Sequence, residues 1–366
     1  MPQWREAARC DEVDADAWDA LAADAGEPNP FLERFALAPF ARLGAGPLRL
    51  VCVWEGPDLL GLAALTTARG YARLPIRHAA SWRHPHLFDA TPLVRRGAEA
   101  AFARGLLAWL DQAAGVRFAH LSRMRHGAVA CAVQAEAART GRASAVVEVS
   151  ARPYLPLARY GCYERYLAEA VGSATRKSVR RVRRRLDARG AVTVAALGPG
   201  EDARPWLDAF ADAEHGGWKG AAGTSLRAKP GEHAAFAAMA RAAHARGRLA
   251  AHQLRVGGRP VAHALDLRAG GGAFALKAAY DEAWAAHAPG VALDAALIER
   301  GIAKAHACGP AWIDSCAAQN HDVLGRLWPE TRPLLQLLVA RRGVANGSAY
   351  RLARGLERAG ELRRKT

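Results

Sequence analysis

An α/β fold with mixed α+β sheets, arranged as two domains of similar element order, is what this sequence predicts. Three observations carry that expectation. Strand-like runs alternate with segments of helical periodicity along most of the chain. Three consecutive strand-like runs, 249–256, 260–268 and 273–280, are joined by Gly257-Gly258 and Gly270-Gly271-Gly272, and glycine turns that tight make an antiparallel meander. The second half then reads helix, strand, helices, meander, helix, strand, helix, strand, and the first half repeats that order in degraded form without repeating its sequence.

Taken in order, 14–24 reads as a helix, which Glu27-Pro-Asn-Pro-Phe-Leu32 stops with two prolines. A short helix over 33–43 follows, then a hairpin of 48–55 and 59–67 closed by Gly56-Pro57-Asp58. Weaker strands are expected at 71–76 and 87–94, a helix at 98–114, a strand at 116–121, a helix at 128–140 and a strand at 143–149. Arg152-Pro-Tyr-Leu-Pro156 reads as a linker. Two helices, 160–171 and 173–189, come next, and the second ends at Gly190, a natural C-cap residue. It carries Arg176, Lys177, Arg180, Arg181, Arg183, Arg184, Arg185 and Arg189, yet Val179, Val182 and Leu186 give it one face to bury. A strand at 192–197 and helices at 203–214 and 231–246 flank a glycine-rich loop, 216–225. The meander, the stretch 272–316, a last strand at 334–341 and a basic tail, 348–365, complete the chain.

At 366 residues the length fits two or three domains, and 51% apolar residues are enough to bury a large core, which excludes wholesale disorder. The six cysteines form no C-x-x-C pair and no dense framework, as expected of reduced thiols in a cytoplasm. The N-terminus shows no apolar signal region, and no uncharged apolar run approaches the roughly 20 residues of a membrane span. The net charge of +16 calls for an anionic partner or marks a well-solvated surface. Nucleic acid, coenzyme A, an acidic carrier protein and anionic lipid all satisfy it, and a catalytically silent, basic binding protein of a polysaccharide or lipid pathway is an alternative to an enzyme.

The stretch 272–316 reads as strand, Pro-Gly turn, helix, strand. A strand that opens onto a glycine and a helix N-terminus presents free backbone N–H groups and the positive end of the helix dipole to an anion. Three pieces of the second half resemble the GNAT acyltransferase superfamily. They are Gly217-Trp-Lys-Gly-Ala-Ala-Gly-Thr224, Lys277-Ala-Ala-Tyr-Asp-Glu282 with Ala288-Pro-Gly-Val-Ala-Leu293, and Asp314-Ser-Cys-Ala317 through Gly325-Arg-Leu-Trp-Pro329. Within it they look most like the cellulose-biosynthesis CelD/BcsL group, relatives of the Fem-type aminoacyltransferases, whose opening motif Asn29-Pro-Phe-Leu32 also resembles.

The resemblance implies two tandem GNAT-like domains: a degenerate one over 1–152 and an acyltransferase domain over 153–345, with the basic tail 346–366 behind. It implies acyl transfer to an amine from acyl-coenzyme A or an acyl carrier thioester, or from a charged tRNA in the Fem branch, with no metal or redox cofactor. The commonest pyrophosphate loop of that superfamily reads Gln/Arg-x-x-Gly-x-Gly/Ala. Here His287-Ala-Pro-Gly-Val-Ala292 supplies one glycine, and Ala292 keeps the turn small. Pro289, Gly290, Val291 and Ala292, with Tyr280 beside them, are the expected donor site.

Lys277 lies inside an otherwise apolar strand, where a lysine is costly unless paired or exposed. It is expected as a thioester contact or as an edge lysine in water. His263 and Asp314 are the alternatives for a general base, which needs an imidazole or carboxylate within reach of the attacking amine; either also fits a purely structural role. Trp218, Lys219 and Asp281 are expected at the substrate mouth. Cys316, with His321 behind it, fits a substrate contact, an acyl-accepting nucleophile or an ordinary buried thiol. The arginine-rich helix, 176–189, fits phosphate, carrier or tRNA docking, but no sequence-specific DNA-binding motif accompanies it.

Overall fold

The computed structural model describes residues 2–317 and 324–365. In chain order the first elements are β1 (Gln3–Ala7), α1 (Ala15–Ala23), α2 (Arg34–Leu37), β2 (Arg49–Glu55), β3 (Asp58–Ala68), β4 (His78–Ser81), β5 (Leu93–Val94), α3 (Glu99–Gln112), β6 (Phe118–Arg125), α4 (Ala128–Arg139) and β7 (Ser144–Leu155). Then come α5 (Tyr163–Ala170), α6 (Ser173–Asp187), β8 (Val192–Ala196), α7 (Arg204–Gly216), α8 (Trp218–Ala221), α9 (Pro230–Ala245), β9 (Leu249–Val256), β10 (Arg259–Ala269) and β11 (Gly272–Tyr280). The chain closes with α10 (Pro289–Ala305), β12 (Trp312–Asp314), α11 (Leu324–Leu327), β13 (Glu330–Ala340) and α12 (Val344–Lys365).

The chain divides into two units, one of Met1–Ala151 with Pro333–Thr366 and one of Arg152–Arg332. The first has strand order β1-β2-β3-β4-β6-β13, with β5 on β3. Val51, Val53 and Leu337 of its strands bury against Phe102, Leu106 and Trp109 of α3 and Val129 and Val133 of α4. Asn29 is fully buried here. Its amide donates to the Asp89 and Thr91 carbonyls at 3.2 and 2.8 Å, and its side-chain oxygen accepts the Phe31 N–H, so Asn29-Pro-Phe-Leu32 is a locked turn.

The expected end of the second domain at 345 and the separate tail are corrected. β13 is hydrogen-bonded to β6 from Leu334 to Ala340, and Tyr350 and Ala353 of α12 are buried with Tyr71 and Phe118. Ladder bonds and apolar burial, not adjacency in sequence, return this segment to the first unit. The expected linker is corrected too. Tyr154 and Leu155 are the paired end of β7, bonded to Asp314 and Ile313 of β12. Pro153 has no N–H to give, but its carbonyl accepts the Ser315 N–H at 3.1 Å. Of the weak strands, 71–76 is reduced to one bridge, Tyr71 to Leu74, and 87–94 to Leu93–Val94, while His78–Ser81 forms a strand not expected.

The second unit has order β7-β12-β11-β10-β9-β8, with β11–β12 parallel and the meander antiparallel as expected. Gly257 and Gly258 have φ of +56° and +84°, the pair of positive values that a two-residue hairpin turn requires. On one face, Val182 and Leu186 of α6 and Ala292 and Leu293 of α10 pack on Leu254, Ala262 and Ala264. The other face of β10 and β11 is covered by α7, and that of β9 by α9. Among the described residues no helix is long and apolar enough to cross a membrane.

Candidate functional site

β11 changes character halfway. In its ladder with β10, Asp266 faces Ala275 and Leu265 faces Lys277, which leaves Leu276 as the extra residue of a bulge. The bulge shifts the two-residue alternation. Ala275 therefore packs with Ile298 and Ile302 on the α10 face, whereas Lys277 reaches α7. On its other edge, β11 pairs with β12 only from Gly272 to Phe274. From Ala275 to Tyr280 the backbone groups aimed away from β10 have no β12 partner among the described residues, and the two strands part there.

On the α7 face Lys277 donates to Glu214 Oε1 at 2.7 Å, and Lys219 donates to the same oxygen at 3.1 Å. Glu214 Oε2 accepts the Leu226 N–H at 2.9 Å. Burial would raise the Glu214 carboxyl, but Lys277, the Leu226 N–H and Lys219 together outweigh it and hold the carboxyl below its ordinary range. Lys277 is pushed below the usual lysine value by burial, which Glu214 only partly offsets. The expected loop 216–225 is itself structured. α8 folds back on the end of α7 so closely that a Cβ on Gly220 would lie 1.7 Å from the His215 carbonyl oxygen, which only glycine allows. The Ser225 hydroxyl, 2.9 Å from His215 Nδ1, ties its far end. A small cleft of about 50 Å³ opens beside Glu214, lined by Trp218, Lys219, Ala279, Tyr280 and Glu282. Trp218 is 64% exposed at its mouth.

His263 faces Ala279 in the β10–β11 ladder and so shares the Lys277 face. It is 4% exposed, and burial, with Arg255 nearby, pushes its imidazole down to about 4, so it is neutral at pH 7. His252 and Asp266 lie on the opposite, α10 face, where Asp266 approaches Asp294 of α10. Both carboxyls are raised, Asp266 to about 7 and Asp294 to about 6, first by burial and for Asp266 also by its neighbour's charge. An acid raised in the native state keeps its proton while the unfolded chain releases it. Stability therefore falls as pH rises from about 4 to about 7. Asp266→Asn should gain melting temperature relative to the parent over that window, read by thermal unfolding at stepped pH. A pH-independent difference would count against the raised carboxyl.

α10 begins where β11 ends. Ala288 caps it with φ of +48°, Pro289 is its first residue, and a Cβ on Gly290 would meet only Tyr280 Cδ1, at 3.8 Å. The N-terminus is thus open beside the Tyr280 ring, with Val291 and Ala292 in the first turn. α6 packs against α10 and leaves Lys177, Arg180, Arg181, Arg184 and Arg185 exposed beside it. Asp281, expected at the substrate mouth, caps the turn before α10: it accepts the Ala283 N–H at 3.0 Å and pairs with Arg259 at 2.6 Å.

Asp314, expected as a base or as an anchor for the substrate amine, is tied into ion pairs. It is fully buried, and both oxygens are occupied. Oδ1 accepts Arg152 Nη1 at 3.1 Å and the Cys316 N–H at 3.0 Å, and Oδ2 accepts Arg332 Nη1 at 3.1 Å. Cys316 is buried at φ +54°, held by that bond. His321 lies outside the described residues. Among the described residues no three His, Cys, Asp or Glu side chains converge as a metal site.

Trp218, Lys219 and Tyr280 therefore line one cleft beside Glu214, which also holds Lys277, and the Tyr280 ring reaches Gly290. His263 shares the Lys277 face of the sheet, Asp314 is the last rung of the β11–β12 ladder opposite Phe274, and Cys316 lies two residues beyond it. Glu214 went unnoticed in the sequence. Its signal is there in Glu214-His-Gly-Gly-Trp-Lys219, an acid one turn from the lysine at a helix end.

The acetyltransferase (GNAT) domain family matches residues 173–319, all within the second unit. No protein of curated function matches the sequence. Among solved structures the chain is similar to FemX, with TM-score 0.59 at 11% identity over 96% of this chain and 100% of that one. It is similar to a C-terminal domain assigned to a lysylphosphatidylglycerol synthetase of Agrobacterium fabrum, with TM-score 0.54 at 11% identity over 93% and 94%. The L-PGS of Bacillus licheniformis gives TM-score 0.53 at 13% identity over 94% and 96%. At these identities the likeness is one of architecture: the chain has a GNAT-type, acyltransferase-like fold.

Proposed function

We propose that this chain is an N-acyltransferase of the CelD/BcsL-like group, moving an acyl group from acyl-coenzyme A or an acyl carrier thioester to an amine. The observation that carries the reading is the second half of β11, unpaired on its β12 side and ending at the open N-terminus of α10. Unpaired strand N–H and C=O groups match the amides of a pantetheine arm, and the helix N-terminus matches its pyrophosphate. The thioester then lies beside Lys277, whose ammonium offsets the charge that develops on the carbonyl oxygen together with backbone N–H groups. Glu214 holds both Lys277 and Lys219 on one oxygen, so the trio keeps a net positive charge. The amine nitrogen bonds to the thioester carbon as His263, neutral at pH 7, takes its proton; the C–S bond then breaks and the imidazolium returns that proton to the departing thiolate. A low imidazole value makes it a weak base, but keeps it in the accepting form throughout the neutral range.

His263→Ala should lower kcat about 100-fold, the usual scale for one general base, and leave donor binding unchanged. Thiol release from acetyl-coenzyme A in the presence of amines, with donor-induced thermal shifts in parallel, checks both halves. An unaltered kcat would remove His263 from the reaction.

A second reading is favoured by the exposed cations of α6 next to the α10 N-terminus. A polyanionic donor such as a charged tRNA, which the Fem-branch resemblance implies, would use them. Steep loss of tRNA binding with salt and no binding of coenzyme A thioesters would establish that reading in place of the first.

A further inference from the structure

We propose that Arg332 is an oxyanion-binding residue that takes a carboxylate or phosphate group of the acceptor. The reading of the site as an acyltransferase supplies only what the anion belongs to; the site itself stands on its own geometry. Trp312 and Asp314 alternate on β12 toward one face, and Ile313 toward the core on the other. On the first face the Arg332 guanidinium lies 4.1 Å from the Trp312 ring centre and 4.2 Å from that of Tyr154, while the rings are 5.9 Å apart. Those three distances make the angle at the guanidinium close to a right angle. The cation therefore sits in an aromatic corner with two walls at about a right angle, not in a closed stack between parallel rings.

Asp314 Oδ2 takes one Nη1 proton and the Tyr154 side chain a second hydrogen bond, which together fix the edge. Asp314 shares its charge with Arg152, and the nearest acid in sequence, Glu330, is paired with Arg159. A guanidinium has five N–H donors in a rigid fork, and its side chain here keeps 16% of its surface accessible. A purely structural counter-ion to Asp314 needs neither wall. A cation whose orientation is set before its partner arrives binds an oxyanion without the entropic cost of ordering a long side chain.

The corner faces the same way as the reactive end of β11. Asp314 is in register with Phe274, whose ring meets Trp312 edge-on at 5.3 Å, and Lys277 lies three residues further along β11, about 10 Å at strand rise. An elongated acceptor would thus present its amine to Lys277 and His263 and its anionic end to Arg332.

The test follows the side-chain Nε–Hε resonance of Arg332 in the full chain, assigned by its loss in Arg332→Lys, during titration with inorganic phosphate, acetate or chloride. A saturable shift with half-saturation at about 1–10 mM for phosphate or acetate, and none for chloride, is expected. A response to phosphate alone identifies a phosphorylated acceptor, and one to acetate a carboxylate. The response should persist in Gly290→Asp, which alters only the donor end. No movement with either oxyanion, or a linear drift equal to that of chloride, overturns the proposal. Donor-induced thermal shifts measured in parallel separate the two ideas. Their absence in the parent protein would defeat the acyltransferase reading while leaving the Arg332 titration to stand or fall alone.

Discussion

Asp314→Ala is expected to cost about 3–5 kcal/mol of stability, the scale of breaking a buried ion pair from one side. The carboxylate is fully buried and has Arg152 and Arg332 on its two oxygens, with side-chain exposures of 6% and 16%. Removing it leaves two guanidinium groups facing each other and takes the acceptor from the Cys316 N–H. Asp314→Asn should fall between the two, since an amide oxygen still accepts the N–H but carries no charge. Urea unfolding followed by circular dichroism measures both. A loss under 1 kcal/mol for the alanine variant would mean that the two arginines are held by something other than this acid.

Gly290→Asp is expected to abolish stabilisation by acyl-coenzyme A without harming the free protein. A donor at about one hundred times its Kd adds about 2.7 kcal/mol, a shift of several degrees in melting temperature. At Gly290 a new side chain meets only the Tyr280 ring at contact distance, so aspartate fits. A carboxylate in the first turn also suits the helix dipole, so the unliganded variant should melt no lower than the parent. It places negative charge where the pyrophosphate belongs. Gly290→Ala, with bulk and no charge, should retain most of the shift. A donor response unchanged in the aspartate variant would move the donor site away from α10.

Local chemistry made part of this molecule readable. Gly257-Gly258 demands positive φ at both positions, so the β9–β10 hairpin follows from composition. Val179, Val182 and Leu186 mark the buried face of α6 against its arginines, and two of the three are buried. What sequence could not supply were the partners across space. The assignment of β13 to the first unit depends on ladder bonds between residues more than 200 positions apart. Asp314 reads as a free acid until Arg152 and Arg332 are found on it, and Lys277 as an isolated cation until Glu214 arrives from α7. Pro153 argued for a linker because a proline cannot donate, yet a strand end that only has to accept tolerates it.

The extra residue at Leu276 gives β11 two different responses to change. Upstream of it, substitutions at Phe274 or Ala275 disturb packing and should register in unfolding experiments. Downstream, a substitution at Ala279 alters the cleft lining and should register in turnover, whereas one at Lys277 also breaks its buried pair with Glu214 and should register in both. Were Leu276 drawn into the ladder, unbroken alternation would carry the lysine to the α10 side, away from Glu214, whereas deleting Leu276 would leave the lysine opposite Leu265 on the Glu214 side. One residue too many in a single strand thus decides which side of the sheet the lysine serves, with no change in the charge or composition of the rest of that strand.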